Sequence, residues 1–267
     1  MQVRGAVVVI TGAAGGIGAA LARRFAAEGA AGLLLADLDV GGAEDLAGEL
    51  DRHGCRAVGV GSDVSRESDV RTLVDIAEEH LGPIDLFCSN AGVGTAQGIE
   101  AADALWQGCW DVNVMAHVYA ARAVLPGMLA RGRGRLLNTA SAAGLLTMPG
   151  DAPYSVTKHA AVAFAEWLAV TYGSRGIGVS VLCPQGVRTA MSAYPGVEDV
   201  LTAFGAMLEP AEVAEAVVAG LADERFLILP HPEVARYEQG RAADRDAWLT
   251  GMRDTVAALP ALPEPAA

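Results

Sequence analysis

Large aromatic side chains are scarce in this chain, with 5% of its 267 residues being Phe, Trp or Tyr. A core with so few rings has to be filled by Ala, Val and Leu, which suits helices packed closely on a sheet. Cysteine is also sparse: Cys55, Cys88, Cys109 and Cys183 are widely spaced and form no C-x-x-C pair. That spacing argues against a disulfide framework, and nothing links these residues to the five histidines as metal ligands. No metal is expected. Cys88 and Cys183 fall in apolar runs, where a free thiol acts as a small hydrophobe.

Positive charge is in short supply as well. Nineteen Lys and Arg face 32 Asp and Glu, for a net charge of −13. The basic residues are scattered, so neither a nucleic-acid surface nor an anionic lipid surface is expected. The densest basic run, "RGRGR" at 131–135, reads as a solvated helix end and turn. No apolar run reaches the roughly 20 residues of a membrane span. The opening "VVVITG" reads as a core strand and not as a signal peptide. These features together predict a reducing compartment, the cytoplasm.

What the chain does have is rhythm. Seven short apolar runs, bounded by Gly, Pro, Asp or Ser, begin at "AVVVITG" (6–12) and end at "RFLILP" (225–230). Between them are "GLLLADL" (32–38), "RAVGVGSDV" (56–64), "IDLFCSNAG" (84–92), "GRLLNTAS" (134–141) and "IGVSVLCP" (177–184). Runs of this kind read as strands buried on both faces. Helical patterns fill the intervals at 17–28, 41–53, 66–80, about 103–131, 154–173 and 210–222. Strands alternating with helices predict an α/β fold, a single-domain Rossmann-type doubly wound parallel sheet of about seven strands. The domain should span 1–230, including a lid at about 189–208, with 231–267 as a C-terminal extension. Val234, Tyr237, Trp248, Leu249 and Met252 of that extension could dock on a neighbouring subunit, and its Pro/Ala end is expected to be loose.

In such a sheet, ligands bind beyond the carboxyl ends of the strands. "TGAAGGIG" (11–18) joins the first strand to the first helix with Gly12, Gly16 and Gly18. A turn without Cβ atoms lets backbone N–H groups approach a pyrophosphate at a helix N-terminus. Asp37 ends the second strand, where a carboxylate can accept both ribose hydroxyls of an adenosine. It would repel a 2′-phosphate by up to roughly 4 kcal/mol. Neither Ala14, Ala36 nor Leu38 offers a cation to reverse that, so NAD is expected over NADP. Further on, "DAPYSVTKHA" (151–160) sets Tyr154 one helical turn before Lys158. By itself this pair could be an ordinary helix surface.

With "TGAAGGIG", "DV" (63–64), "NAG" (90–92), Asn113 in "WDVNV", Ser141 in "NTASAAG" and "YSVTK" (154–158), the chain resembles the classical short-chain dehydrogenase/reductase family. The pieces come in family order across about residues 3–230. The resemblance implies that Tyr154 is a general acid/base and that Lys158 favours its phenolate and binds the ribose. It implies that Ser141 holds the reacting oxygen and that Asn113 holds a water linking Lys158 to bulk. Ile17, Asp63, Val64, Asn90 and Thr189 are implied as further cofactor contacts. One departure stands out: "CPQGVRTAM" has Gln185 where the family commonly has Gly.

Substrate contacts are expected from an apolar set comprising Ala142, Leu145, Leu146, Met148, Gln185, Met191, Tyr194, Phe204, Met207 and Leu208. Of these, Leu146, Gln185, Met191 and Tyr194 are the leading candidates. Arg188 is the one cation nearby. The expected activity is therefore NAD-dependent interconversion of a hydrophobic secondary alcohol and its ketone. Epimerisation through a transient ketone, or dinucleotide sensing without turnover, would use the same cofactor site. The long Ala-rich helices carrying Trp106, Trp110, Val162, Phe164 and Trp167 predict a homotetramer or homodimer.

Overall fold

The protein is described here by a computed structural model that covers residues 1–193 and 197–258. Side chains along the first strand, β1 (Val7–Thr11), alternate between two apolar layers. Val7 and Val9 join one buried cluster and Val8 and Ile10 the other. That period of two is what a strand covered by helices on both faces requires. β2 (Gly32–Asp37), β3 (Ala57–Gly61), β4 (Leu86–Ser89), β5 (Gly134–Thr139), β6 (Ile177–Leu182) and β7 (Leu227–Ile228) complete a sheet of order 3-2-1-4-5-6-7. Every neighbouring pair is parallel.

On the first face, α3 (Glu67–His80), α5 (Ala116–Arg131) and α7 (Ala152–Tyr172) bury Leu73, Val124, Met128 and Leu168 against Val9, Phe87 and Leu136. On the second, α1 (Gly16–Glu28), α2 (Val40–Arg52) and α9 (Pro210–Ala222) bury Leu21, Phe25, Leu46 and Val217 against Ile10 and Leu35. The strand order reverses between β1 and β4, so their carboxyl ends open the crevice where a dinucleotide fits. No helix among the described residues is long and apolar enough to cross a membrane.

Several expectations need correction. β3 is an edge strand with one partner, so its residues are only half-buried. The run 225–230 contributes just Leu227 and Ile228 to the sheet, because β7 is the opposite edge and Pro230 has no N–H to continue it. The helix at 103–131 is three pieces: α4 (Asp103–Trp110), a π-helical turn (Asp111–Met115) and α5. In the basic run only Arg133 is well solvated. Arg131 donates to Ile84 O at 2.6 Å, and Arg135 lies buried in β5, donating to Ser180 Oγ at 2.9 Å.

The C-terminal extension docks on its own chain. α10 (Glu233–Ala243) and α11 (Arg245–Ala257) pair through Tyr237 and Trp248, whose ring centroids lie 6.2 Å apart. Val234 is fully buried in the first-face cluster, and both rings pack against it. The Pro/Ala end, 259–267, lies outside the described residues.

Candidate active site

Tyr154, Ser141 and Lys158 meet at the carboxyl edge of β5. Ser141 follows that strand and is buried, its Oγ donating to Pro184 O at 3.4 Å and accepting from Ala143 N at 3.1 Å. Tyr154 and Lys158 lie one turn apart on α7, with Lys158 Nζ 5.5 Å from the tyrosine ring centroid. The ammonium donates to Thr139 O at 3.0 Å and is 2% exposed. Room for it is left by Gly92, where an added Cβ would sit 3.1 Å from Nζ.

Electrostatics at this pair are set by burial. Burial pushes the Tyr154 phenol up to about 12, against a smaller downward pull from its hydrogen bond with Ser141. Burial also brings the Lys158 ammonium down to about 8. Burial thus favours the neutral phenol.

Asn113 lies in the π-helical turn, and its amide is occupied on both sides. It donates to Val93 O at 2.8 Å and to Thr157 Oγ1 at 3.0 Å, and its Oδ1 accepts from Val93 N at 2.9 Å. Both amide hydrogens and one of the two acceptor positions of Oδ1 are thus taken. π-Turns within helices occur often at functional sites.

The glycine loop explains its own composition. Gly12 has φ +65° and packs on Ala91, where an added Cβ would be 2.9 Å from Cα. Gly16 has φ +51° and lies under Thr189, whose Cγ2 would be 3.1 Å from such a Cβ. Gly18 has a different reason, since its Cβ would overlap Gly12 O at 1.9 Å. It is therefore a packing glycine, with Ile17 beside it half-buried. Asn90 holds the crevice together, donating to Thr11 O at 3.1 Å and accepting from Thr139 Oγ1 at 3.2 Å.

Asp37 accepts from Ala14 N at 2.9 Å and from Asp39 N at 3.1 Å, so it fixes the loop as well as closing β2. Asp63 accepts from Ser65 N at 3.0 Å and pairs with Arg66 at 3.3 Å, beside the buried Val64. A cation that the sequence reading overlooked, Arg23, lines a cleft with Ala14 and Gly42. Its guanidinium is held by Glu49 through two bonds of 2.8 Å.

The substrate candidates divide. Ala142, Leu145 and Leu146 are buried in the first-face core, while Met191 is 40% exposed. Gln185 is half-buried, its Nε2 donating to Phe204 O at 3.1 Å. Tyr194 lies outside the described residues. Arg188 is paired with Glu198 at 3.0 Å and with Glu209 at 3.1 Å.

Asp151, two residues before the Pro153 that opens α7, was the residue most readable yet missed. It caps Tyr154 N at 3.0 Å and accepts from Thr95 N at 2.7 Å, Thr95 Oγ1 at 2.7 Å and Ala96 N at 2.8 Å. An acid before a proline at a helix start is a capping signal. Ser155 does a similar job for the loop before α7, donating to Met148 O at 3.0 Å and accepting from Met148 N at 2.9 Å.

The family model of the short chain dehydrogenases matches residues 6–196. The chain is 41% identical over 199 residues to a 1-deoxy-11-beta-hydroxypentalenate dehydrogenase of Streptomyces exfoliatus, covering 72% of this chain and 70% of the other. It is 34% identical over 239 residues to 2-(S)-hydroxypropyl-CoM dehydrogenase 3 of Xanthobacter autotrophicus, covering 85% of this chain and 93% of the relative. Among solved structures, a short chain dehydrogenase/reductase from Burkholderia phymatum in complex with NAD matches with TM-score 0.85 and 30% identity, over 100% of this chain and 99% of that one. The chain belongs to the classical short-chain dehydrogenase/reductase family, and it is a nicotinamide-dependent oxidoreductase acting on CH–OH groups.

Proposed function

We propose that the protein interconverts a hydrophobic secondary alcohol and its ketone with NAD, using Tyr154 as general acid/base. The observation that carries this reading is the meeting of Ser141, Tyr154 and Lys158 beside the glycine loop, at the switch point of the sheet. The loop residues fit a dinucleotide: Gly12 takes a left-handed turn packed on Ala91, and Gly16, lacking a Cβ beneath Thr189, begins α1 and so sets the helix N-terminus at the loop. Ile17, Asp63, Val64, Asn90 and Thr189 complete the proposed cradle, and Lys158 holds the nicotinamide ribose. Once bound, the cofactor supplies the hydride acceptor or donor.

The chain's own residues handle the oxygen and its proton. Ser141 Oγ, aligned by Ala143 N, holds the reacting oxygen. In reduction Tyr154 gives that oxygen its proton, and in oxidation the phenolate takes the alcohol's proton. Positive charge entering the cleft offsets the burial that raises the free phenol. Lys158 stabilises the phenolate, and Asn113 holds the water through which the proton returns.

NAD over NADP follows from Asp37 at the ribose end, with Arg23 occupied by Glu49 and so withdrawn from a 2′-phosphate. A neutral substrate follows from Arg188, whose guanidinium already has two carboxylate partners. Gln185, Met191 and Leu146 remain the proposed substrate contacts. Similar proteins support the reaction class: the Streptomyces and Xanthobacter relatives are named dehydrogenases of hydroxylated compounds, and the Burkholderia neighbour holds NAD. Four free buried thiols fit a reducing setting, the cytoplasm.

A homotetramer, or failing that a dimer, is the proposed assembly. Val156, Trp167 and Val170 of α7 and Leu105 and Trp110 of α4 are exposed by 40–86%. Phe164 stacks on Trp167 with ring centroids 6.4 Å apart, so the exposed face of α7 is partly aromatic. Function is tested with a panel of neutral secondary alcohols and ketones, followed by nicotinamide absorbance with NAD and with NADP. Turnover of alcohols with NAD and net NADH formation is expected. Unchanged NAD across a turnover, or no turnover of any panel member, would contradict the proposal.

A further inference from the structure

The segment between β6 and α9 leaves the sheet at Pro184 and returns at Glu209. Its base is closed by main-chain bonds, Leu208 N to Gly186 O at 3.0 Å and Arg188 N to Leu208 O at 2.9 Å. A third element reaches into this base from the C-terminal extension. His231, 2% exposed, accepts from Gln185 N at 3.1 Å through Nδ1, while its Nε2 lies 3.2 Å from Ala206 O. A backbone N–H can only donate, so Nδ1 carries the lone pair and Nε2 carries the proton. Nε2–H therefore donates to Ala206 O. This single tautomer satisfies both main-chain groups.

The surroundings give that contact reach. Gln185 adds its own bond to the same end of the segment, through Nε2 to Phe204 O at 3.1 Å. Immediately before it, Pro184 O accepts from Ala142 N at 2.8 Å and from Ser141 Oγ at 3.4 Å. Past His231, α10 packs on α6 (Ala143–Leu146), the short helix after Ser141, and buries Val234 completely. One imidazole thus joins the loop beside Ser141, the end of α8 (Val197–Phe204) and the C-terminal helices.

We propose that His231 is a positioning residue of the substrate lid: it fixes the spacing between the Gln185 loop and the lid's returning end, and so makes the C-terminal extension part of the substrate cleft's frame. This rests on the proposed reading of 189–208 as the lid. The position of Gln185 gives it further sense. Its side chain is bonded to the lid's end, and His231 bonds the same residue's main chain.

Hydrogen–deuterium exchange on the full ligand-free chain tests the claim without needing a substrate. His231→Phe keeps a planar ring, somewhat larger than imidazole, and removes both bonds. His231→Asn places an acceptor near the former Nδ1 and leaves Ala206 O without its donor. In H231F the Gln185 amide and the amides of 200–208 should exchange roughly fivefold faster or more, with β1 and β5 unchanged. In H231N the Gln185 amide should return to within about twofold of the unmodified rate while 200–208 stays fast. If the phenyl ring prevents folding, the H231N pattern decides alone. Unchanged exchange at both places, or equal acceleration throughout the sheet, would overturn the proposal. Neither outcome depends on whether the lid takes a hydrophobic alcohol.

Discussion

Lys158 Nζ stands 5.5 Å from the centre of the Tyr154 ring and donates to the Thr139 carbonyl at 3.0 Å. The lysine is thus fixed by the sheet edge, close enough to act on the phenol through space. Its buried ammonium is brought down to about 8, below the ordinary lysine value of 10.5. The unfolded chain binds more protons at this group between those two values, so this residue's contribution to stability rises as pH climbs from about 8 to 10.5. Tyr154 works the other way: its contribution is complete below pH 10 and is lost as pH rises toward about 12. Urea unfolding across pH 7.5–10 should therefore show a rising component that Lys158→Met removes. Parallel curves for the two proteins would contradict the assignment.

Asp151 gathers four hydrogen bonds on one buried carboxylate, from Thr95, Ala96 and Tyr154. Asp151→Ala leaves three backbone N–H groups without that acceptor. It should cost about 2–4 kcal/mol in urea unfolding. Turnover should fall as well, because the cap sets where α7 begins and thus where Tyr154 points. A stability change under about 0.5 kcal/mol would show the network to be unimportant.

Asp37 governs cofactor choice in this account. The unmodified protein should favour NAD over NADP in kcat/KM by at least about tenfold, and Asp37→Ala should narrow that gap. Because the carboxylate also holds Ala14 N, the variant should bind NADH more weakly. Equal use of both cofactors by the unmodified protein would refute the assignment.

The exposed face of α7 predicts assembly. Light scattering at micromolar concentration should give a tetramer or dimer, and Trp167→Glu with Val170→Glu should shift the population toward smaller species. A monomer for the unmodified chain would sink the interface reading.

Much of this was legible in the chain, for physical reasons that differ from residue to residue. Buried strands such as 7–11 and 32–37 are continuous apolar runs, so periodicity finds them; β3 and β7 lie at edges, where the same composition meets fewer partners. Tyr154 and Lys158 are close in sequence and share a helix, so their meeting could be read directly. Asn113, by contrast, shows its constraint only in space, where Val93 and Thr157 occupy its amide. The pairing of Arg188 could not be read from the sequence, because Glu209, one of its partners, is 21 residues away in numbering yet 3.1 Å away in the fold. Burial of the phenol was invisible too: spacing shows a neighbouring ammonium but not how much solvent has been excluded.

The central claim is that Tyr154 carries the proton. Tyr154→Phe keeps the ring and the helix and removes only the hydroxyl. With the alcohol that the unmodified protein turns over best, kcat should fall by about 10²-fold or more, while NADH affinity, read by fluorescence, stays within about twofold. A Tyr154→Phe protein that keeps more than about a tenth of the kcat would contradict the account.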